Sequence, residues 1–257
     1  MKKLLFTCIL ILLTGNVNAK VRRYVRPMLT PSVIVKSFLV ATNDGTILKE
    51  QGINTVRPIA SISKLMLALL VSNQNLSESL AIPAARSVQS GIPKYAKYLT
   101  RYELLNLALI KSDNFAAQIL CLNLPRCVQS MNDKAFELGM INTHYNEPTG
   151  LDRGNVSTAS DLLKLIIAAT SNKTITDISS RPSVEIIIYN KSIIIHNTNP
   201  LTNTLNIVLS KTGFTDPAGG CLVMVVNTGQ TSRIYILLGS RNSHTRIPDM
   251  LALIKES

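Results

Sequence analysis

Three short stretches hold the side chains of this sequence that could make and break a covalent bond. In "RPIASISKLMLALLVSN", residues 57–73, Ser61 and Lys64 stand three apart, just before the wholly apolar run 65–71. On a helix that spacing puts both on one face, a turn apart, beside free backbone N–H groups that favour developing negative charge. Taken alone, Ser61 reads as an N-cap and Lys64 as a side chain that snorkels to water. The second stretch, "KSDNFAAQIL", places Ser112 and Asn114 in or beside an apolar helical run, where both need hydrogen-bond partners. The third, "LSKTGFTDPAGG", sets Lys211, Thr212 and Gly213 on a strand. There Gly213 removes a side chain where a substrate backbone can approach.

A serine hydroxyl needs a base before it becomes a nucleophile at neutral pH. A lysine serves if its pKa falls, and burial or a second positive charge lowers it. The apolar run after Lys64 supplies burial, and Lys211 would supply the like charge if strand and helix are neighbours. Lys64 is then expected to be neutral part of the time.

Other chemistries find no support. His144, His196 and His244 are far apart and lack metal-ligand spacing, so no metal or other cofactor is expected. There is no G-x-S-x-G elbow, P-loop or G-x-G-x-x-G. S-x-N is cheap, since it recurs at Ser240–Asn242, whereas S-x-x-K and K-T-G each occur once.

The elements that must position these residues are legible in outline. Alternation over 33–40 and Asn43-Asp44-Gly45 predict a strand and a hairpin resuming at 46–48. Helical patterns cover 61–72, 101–122 and 125–138, with Gly139 as a stop. Thr158 with Asp161 opens another helix in the manner of a capping box. "SVEIIIYNKSIIIHNTN" reads as a hairpin about Asn190-Lys191, or as a strand buried on both faces. "NIVLSKTGF", "GGCLVMVVNTG" and "SRIYILLGS" are strands, and "HTRIPDMLALIKE" is a helix with Pro248 in its first turn. The first and last strand groups are expected to share one antiparallel sheet flanked by helices, an α+β domain.

The leader "MKKLLFTCILILLTGNVNAK" has a basic start, an apolar core and a small-residue exit, so 1–19 is expected to be a signal peptide cleaved near Ala19. Residues 20–257 would then form one exported domain without a stable membrane anchor. Removal of Cys8 leaves Cys121, Cys127 and Cys221, an odd set that argues against a disulfide framework. A local bridge between Cys121 and Cys127 stays open, and Cys221 reads as a packed thiol. With a net charge of +12, no Trp and only 5% aromatics, the chain suits a carboxylate-rich extracellular polymer better than nucleic acid.

The order S-x-x-K, S-D-N, K-T-G resembles the motif set of penicillin-binding proteins and class A β-lactamases. "RPIASISKLM", "ELLNLALIKSDNFAA", "ELGMINTHYNEPTGLDRGNVSTASDL", "NTNPL" and "SKTGFTDPAGGCLVM" together resemble the low-molecular-mass penicillin-binding proteins. These are the D-alanyl-D-alanine carboxypeptidases and endopeptidases of serine peptidase family S11, and the likeness is closest to the endopeptidase branch. It runs from about residue 33 to the C-terminus. It implies a β-lactamase/transpeptidase-like fold with a helical subdomain, a periplasmic location, peptidoglycan stem peptides as substrate and β-lactams as covalent inhibitors.

By the same resemblance, Ser61, Lys64 and Ser112 would be catalytic: Ser61 the nucleophile, Lys64 its base, Ser112 the relay to the leaving amine. Asn114 would hold Lys64 and the substrate amide. Lys211 and Thr212 would bind the carboxylate beside the scissile bond, on the strand that carries Gly213. The N–H groups of Ser61 and Phe214 would form the oxyanion hole. Glu147 in "NEPTGLD" is expected to be structural, not the water-positioning glutamate of a β-lactamase. The tyrosine-rich segment "SGIPKYAKYLTRYE" is unusual for the family, and the chain is expected to lack the extra C-terminal domain and membrane-anchoring helix of many carboxypeptidase relatives.

Overall fold

In chain order the elements are β1 (Ser37–Thr42), β2 (Ile47–Gln51), β3 (Arg57–Pro58), α1 (Ser63–Val71), β4 (Ser79–Ala81) and β5 (Tyr98–Thr100). They continue with α2 (Arg101–Ile110), α3 (Asn114–Leu122), α4 (Cys127–Glu137), β6 (Val156–Ser157), α5 (Ala159–Thr170) and α6 (Lys173–Ser179). The chain closes with β7 (Ser183–Ile188), β8 (Lys191–His196), β9 (Ile207–Thr215), β10 (Gly219–Asn227), β11 (Ser232–Ser240) and α7 (Arg246–Lys255). This computed structural model describes residues 35–84, 90–229 and 231–257. The leader and the first residues of the 33–40 strand signal therefore lie outside the described residues.

The first and last strand groups do share one sheet, antiparallel throughout, in the order β2-β1-β11-β10-β9. Side chains alternate across it, so each strand feeds two cores. Leu39, Ala41, Val223, Val225, Ile234 and Ile236 pack with α1, α2, α3 and α5, while Val40, Leu222, Met224, Tyr235 and Leu237 meet Met250 and Leu253 of α7. Helices thus cover both faces, which explains the near-continuous apolar runs of β10 and β11.

Local chemistry sets the helix starts. Thr100 and Glu103 form a reciprocal capping box at α2, and the Thr158 hydroxyl accepts from Asp161 N at α5. The helix expected over 101–122 is in fact two helices. Ser112 adopts φ +59°, and the Asp113 carboxylate caps a fresh helix by accepting from Ala116 N at 2.9 Å. A serine in the left-handed region cannot continue a helix, so the break is abrupt. The short α6 was not anticipated; Asn172 caps it by accepting from Ile175 N.

The isoleucine-rich segment is a hairpin, but its turn is Tyr189–Asn190, with φ +48° and +62°, as a two-residue type I′ turn requires. It forms its own two-stranded ladder outside the main sheet. It is not doubly buried: Ile186, Ile188 and Ile195 face the core, while Ile187 and Ile194 are each 64% exposed.

Cys121 and Cys127 are disulfide-bonded, with Cα atoms 5.4 Å apart, and Cys221 is free and buried. The local bridge left open by the sequence is therefore formed at the α3–α4 corner, and Cys221 is the packed thiol expected in the sheet. Closing so short a loop is worth about 2 kcal/mol on the chain-entropy account. Reduction is accordingly expected to lower the urea midpoint by that equivalent. An unchanged midpoint would mean that the bridge constrains nothing.

Candidate active site

Residues Ala60–Ile62 form a 3-10 turn that leads into α1, and Ser61 lies in it. Ser61 is therefore not the N-cap of the α-helix, and no side chain caps α1. Ala60 is held at φ +46°, a left-handed conformation that costs an alanine free energy and needs outside support. Two glycines provide it by close approach. A Cβ on Gly150 would fall 1.9 Å from the Ala60 carbonyl oxygen, and one on Gly213 would lie 3.1 Å from Ser61 N, Ile59 O and Ala60 Cβ. Gly213 was expected to admit a substrate backbone; the backbone it admits is the protein's own, at the serine turn. Replacing Gly213 with alanine is expected to push β9 from that turn and slow acylation by fluorescent penicillin about 10- to 100-fold. An unchanged acylation rate would show that the turn tolerates the displacement.

Lys64, one turn further on, is 1% exposed. Its Nζ donates to Ser61 Oγ at 2.8 Å, Asn114 Oδ1 at 2.7 Å and the Thr149 carbonyl at 2.7 Å. Burial lowers its pKa from 10.5 to about 7, against the carboxylates of Glu147 and Asp113, which pull it back up. Of the two causes expected from the sequence, burial is the one that lowers Lys64, because α1 is sheathed by α2–α5; Lys211 is not among its causes. The repulsion is felt at Lys211, which is held well below its ordinary value by its own burial, then by Lys64 and Arg246.

The break between α2 and α3 brings in the second motif. Asn114, first residue of α3, meets Lys64, whereas the Ser112 hydroxyl accepts from Lys211 Nζ at 2.8 Å. Ser112 thus joins the amine of β9 to the rim of the serine turn. Thr212 Oγ1 lies 2.6 Å from Thr198 Oγ1, and the Phe214 ring is exposed at the end of β9. Ser61, Lys64, Ser112, Asn114, Lys211, Thr212 and Gly213 therefore converge, with Phe214 one residue beyond. Chemically the group offers a hydroxyl beside a partly neutral amine, a second hydroxyl on a second amine, and amide and hydroxyl donors between them.

Four supporting residues were missed by sequence reasoning. Asp113 accepts from Ser90 Oγ at 3.0 Å and from Gly91 N as well as capping α3. Its N-cap preference is a signal that could have been found. Asn155 donates to Ser63 Oγ at 3.0 Å and to Glu147 O at 2.8 Å, tying the 147–155 loop to α1. Thr198 and Arg246 reach β9 from other segments, Arg246 Nη1 donating to Gly213 O at 3.1 Å; Thr198 lies in "NTNPL", a signal that could have found it, whereas no local pattern marks Arg246. Glu147 is structural as expected: its carboxylate accepts from Thr149 N and Oγ1, Gly150 N and Asp152 N. Among the described residues no cluster of three or more His, Cys, Asp or Glu could hold a metal.

The model of the D-alanyl-D-alanine carboxypeptidase family, peptidase S11, matches residues 29–242. The D-alanyl-D-alanine endopeptidase of Pseudomonas aeruginosa is 37% identical over 225 residues, covering 82% of this chain and 73% of that protein. Its Escherichia coli counterpart is 35% identical over 228 residues, covering 83% and 73%. Among solved structures, penicillin-binding protein D2 of Listeria monocytogenes in its ampicillin-bound form aligns with a TM-score of 0.77 and 30% identity, over 86% of this chain and 96% of that one. The S-x-x-K, S-D-N and K-T-G motifs meet in one cleft, on a fold shared with those proteins, and the chain belongs to the D-alanyl-D-alanine carboxypeptidase family of serine peptidases, S11.

Proposed function

We propose that the protein is a serine D,D-peptidase of peptidoglycan that cleaves D-alanyl-diaminopimelate cross-links through an acyl-enzyme on Ser61, and that penicillins acylate the same hydroxyl. The observation that carries this reading is Lys64: a buried amine 2.8 Å from a serine hydroxyl, with its pKa lowered to about 7. Neutral Lys64 takes the Ser61 proton as Oγ bonds to the D-alanyl carbonyl carbon. The N–H groups of Ser61 and Phe214 receive the oxyanion, each donor worth roughly 3–4 kcal/mol. Ser112 passes a proton to the leaving nitrogen as the C–N bond breaks. Lys211 and Thr212 hold the adjacent carboxylate, Asn114 the substrate amide and Lys64. Water then cleaves the ester and restores Ser61.

A carboxylate sits one carbon from the scissile nitrogen both in a D-alanyl-D-alanine end and at the D-centre of a diaminopimelate cross-link. One lysine–threonine subsite therefore serves either substrate. Endopeptidase specificity is supported by two relatives named as endopeptidases, at 37% and 35% identity. The Glu147 carboxylate, spent on its own loop, is not available to position deacylating water as a β-lactamase requires.

Digestion of purified muropeptides tests the choice. Cross-linked dimers are expected to fall to monomers. Release of free D-alanine with dimers left intact would install the carboxypeptidase reading. Rapid turnover of a chromogenic cephalosporin would install the β-lactamase one. The proposal includes export to the periplasm after cleavage near Ala19. Among the described residues no helix is long and apolar enough to cross a membrane.

A further inference from the structure

We propose that the loop 93–98 and the β7–β8 hairpin form a platform that binds the glycan strand of peptidoglycan beside the cleft; this rests on the peptidoglycan reading above. The loop carries Tyr95 and Tyr98, and the fold sets the hairpin's Tyr189 beside it. Tyr95 and Tyr189 lie with ring centroids 6.5 Å apart and tilted by 52°. Lys191 Nζ stands 4.8 Å above the Tyr95 ring, and Lys97 N donates to Tyr189 Oη at 3.2 Å. Loop and hairpin are thus one surface.

Tyrosine is spent selectively here. Tyr145 and Tyr235 are buried and Tyr102 is packed against the core, while Tyr95, Tyr98 and Tyr189 are 39%, 58% and 56% exposed. Among the described residues, the exposed tyrosines are these three, two of them in contact and Tyr98 three residues along the chain from Tyr95. Exposed aromatic clusters mark binding surfaces more often than chance packing, and tyrosine offers a rigid face at low entropic cost. Lys94, Lys97 and Lys191 are also exposed around the rings. The one carboxylate of the hairpin, Glu185, accepts from the Ser192 hydroxyl.

The same hairpin borders a crevice of about 360 Å³ between the β5–α2 segment and β7, lined by Thr100, Tyr102, Asn106 and Glu185 among others. The Asn106 Oδ1 atom is buried there without a hydrogen-bond partner. Flat rings to stack on sugar faces, acceptors for hydroxyl groups and lysines for the carboxylates of stem peptides describe a glycan strand, not a lipid surface. Both ends of the platform are anchored to the cleft. Ser90 and Gly91, at the start of the loop, are held by Asp113, and the strand leaving β8 reaches Thr198, which meets Thr212. A strand lying on the platform would present its cross-links to the serine turn.

The test is co-sedimentation of the full chain, acylated with penicillin to prevent digestion, with purified peptidoglycan sacculi. Y95A/Y189A is expected to bind at least about tenfold more weakly, the scale of two lost aromatic contacts. Y95F/Y189F should retain binding. Penicillin acylation and cleavage of short soluble muropeptide dimers should be unchanged in both. Equal binding by parent and Y95A/Y189A would overturn the proposal, as would a parallel loss on phosphatidylglycerol vesicles or a slowed acylation. Failure of the parent to cleave dimers would remove the peptidase reading; sacculus binding that depends on the rings would still uphold the platform.

Discussion

Substitution of Ser61 by alanine is expected to lower peptide turnover on the order of 10⁶-fold and to abolish covalent labelling by penicillin. The substitution removes one oxygen and little else. Ser61 lies in a turn whose backbone is set by Ile59, Gly150 and Gly213, and none of these contacts uses its hydroxyl. Lys64 keeps its hydrogen bonds to Asn114 and Thr149, so the variant should melt within a degree or two of the parent. The loss is large because no other hydroxyl can replace Ser61. Ser112 is held by Lys211 on the far side of the cleft, and Ser63 donates to the Ala60 carbonyl. Mass spectrometry of the penicillin-treated variant decides the matter: an adduct on S61A would place the nucleophile elsewhere.

The second large effect concerns protonation. Acylation by penicillin is expected to rise about tenfold per pH unit below neutrality and level off above about 7, where Lys64 becomes neutral. The sign follows from the role, since an ammonium cannot accept the serine proton. Lys211, lowered by its own burial and then by Lys64 and Arg246, must keep its proton to bind the substrate carboxylate, so loss of that proton as pH rises works against the rate. Lys64→Arg should lose both the rising limb and about 10³- to 10⁴-fold in rate, because a guanidinium keeps its proton and a general base is worth about that much. A flat profile from pH 5.5 to 8.5 in the parent would remove Lys64 as the base. The same shift couples to folding. Between about 7 and 10.5 the unfolded chain carries a proton at Lys64 that the folded chain lacks, so this group's contribution favours the fold as pH rises.

That a lysine should be buried at the foot of α1 was legible from residues 65–71, since a helix apolar on every side must lie inside. The antiparallel sheet was legible from alternation at both ends of the chain and the first hairpin from Asn43-Asp44-Gly45, whereas the turn of the second lies one residue earlier than its pattern suggests. The Ser112 break was not. "ELLNLALIKSDNFAAQILCL" is a continuous helical pattern, and only the meeting of Ser112 with Lys211 and of Asp113 with the 90–91 loop rewards a left-handed serine. The approach of Gly213 to the serine turn was not legible for a related reason: a strand glycine announces a close approach without saying what approaches. The Cys121–Cys127 bridge could be named from the sequence but not decided, because cysteine counts carry no distances.

The sequence by itself determined which reactive residue types exist, their order, and the apolar casing that makes a lysine usable as a base. These are local properties, set by side-chain chemistry and by periods of two and 3.6 residues. Tertiary structure alone decided which amine faces which hydroxyl. Lys64 takes Ser61, and Lys211 takes Ser112 from 99 residues away, because the approach of β9 to the serine turn is set by packing between segments that share no local pattern. It also decided that a loop rich in tyrosine and a hairpin rich in isoleucine would present one surface beside the cleft.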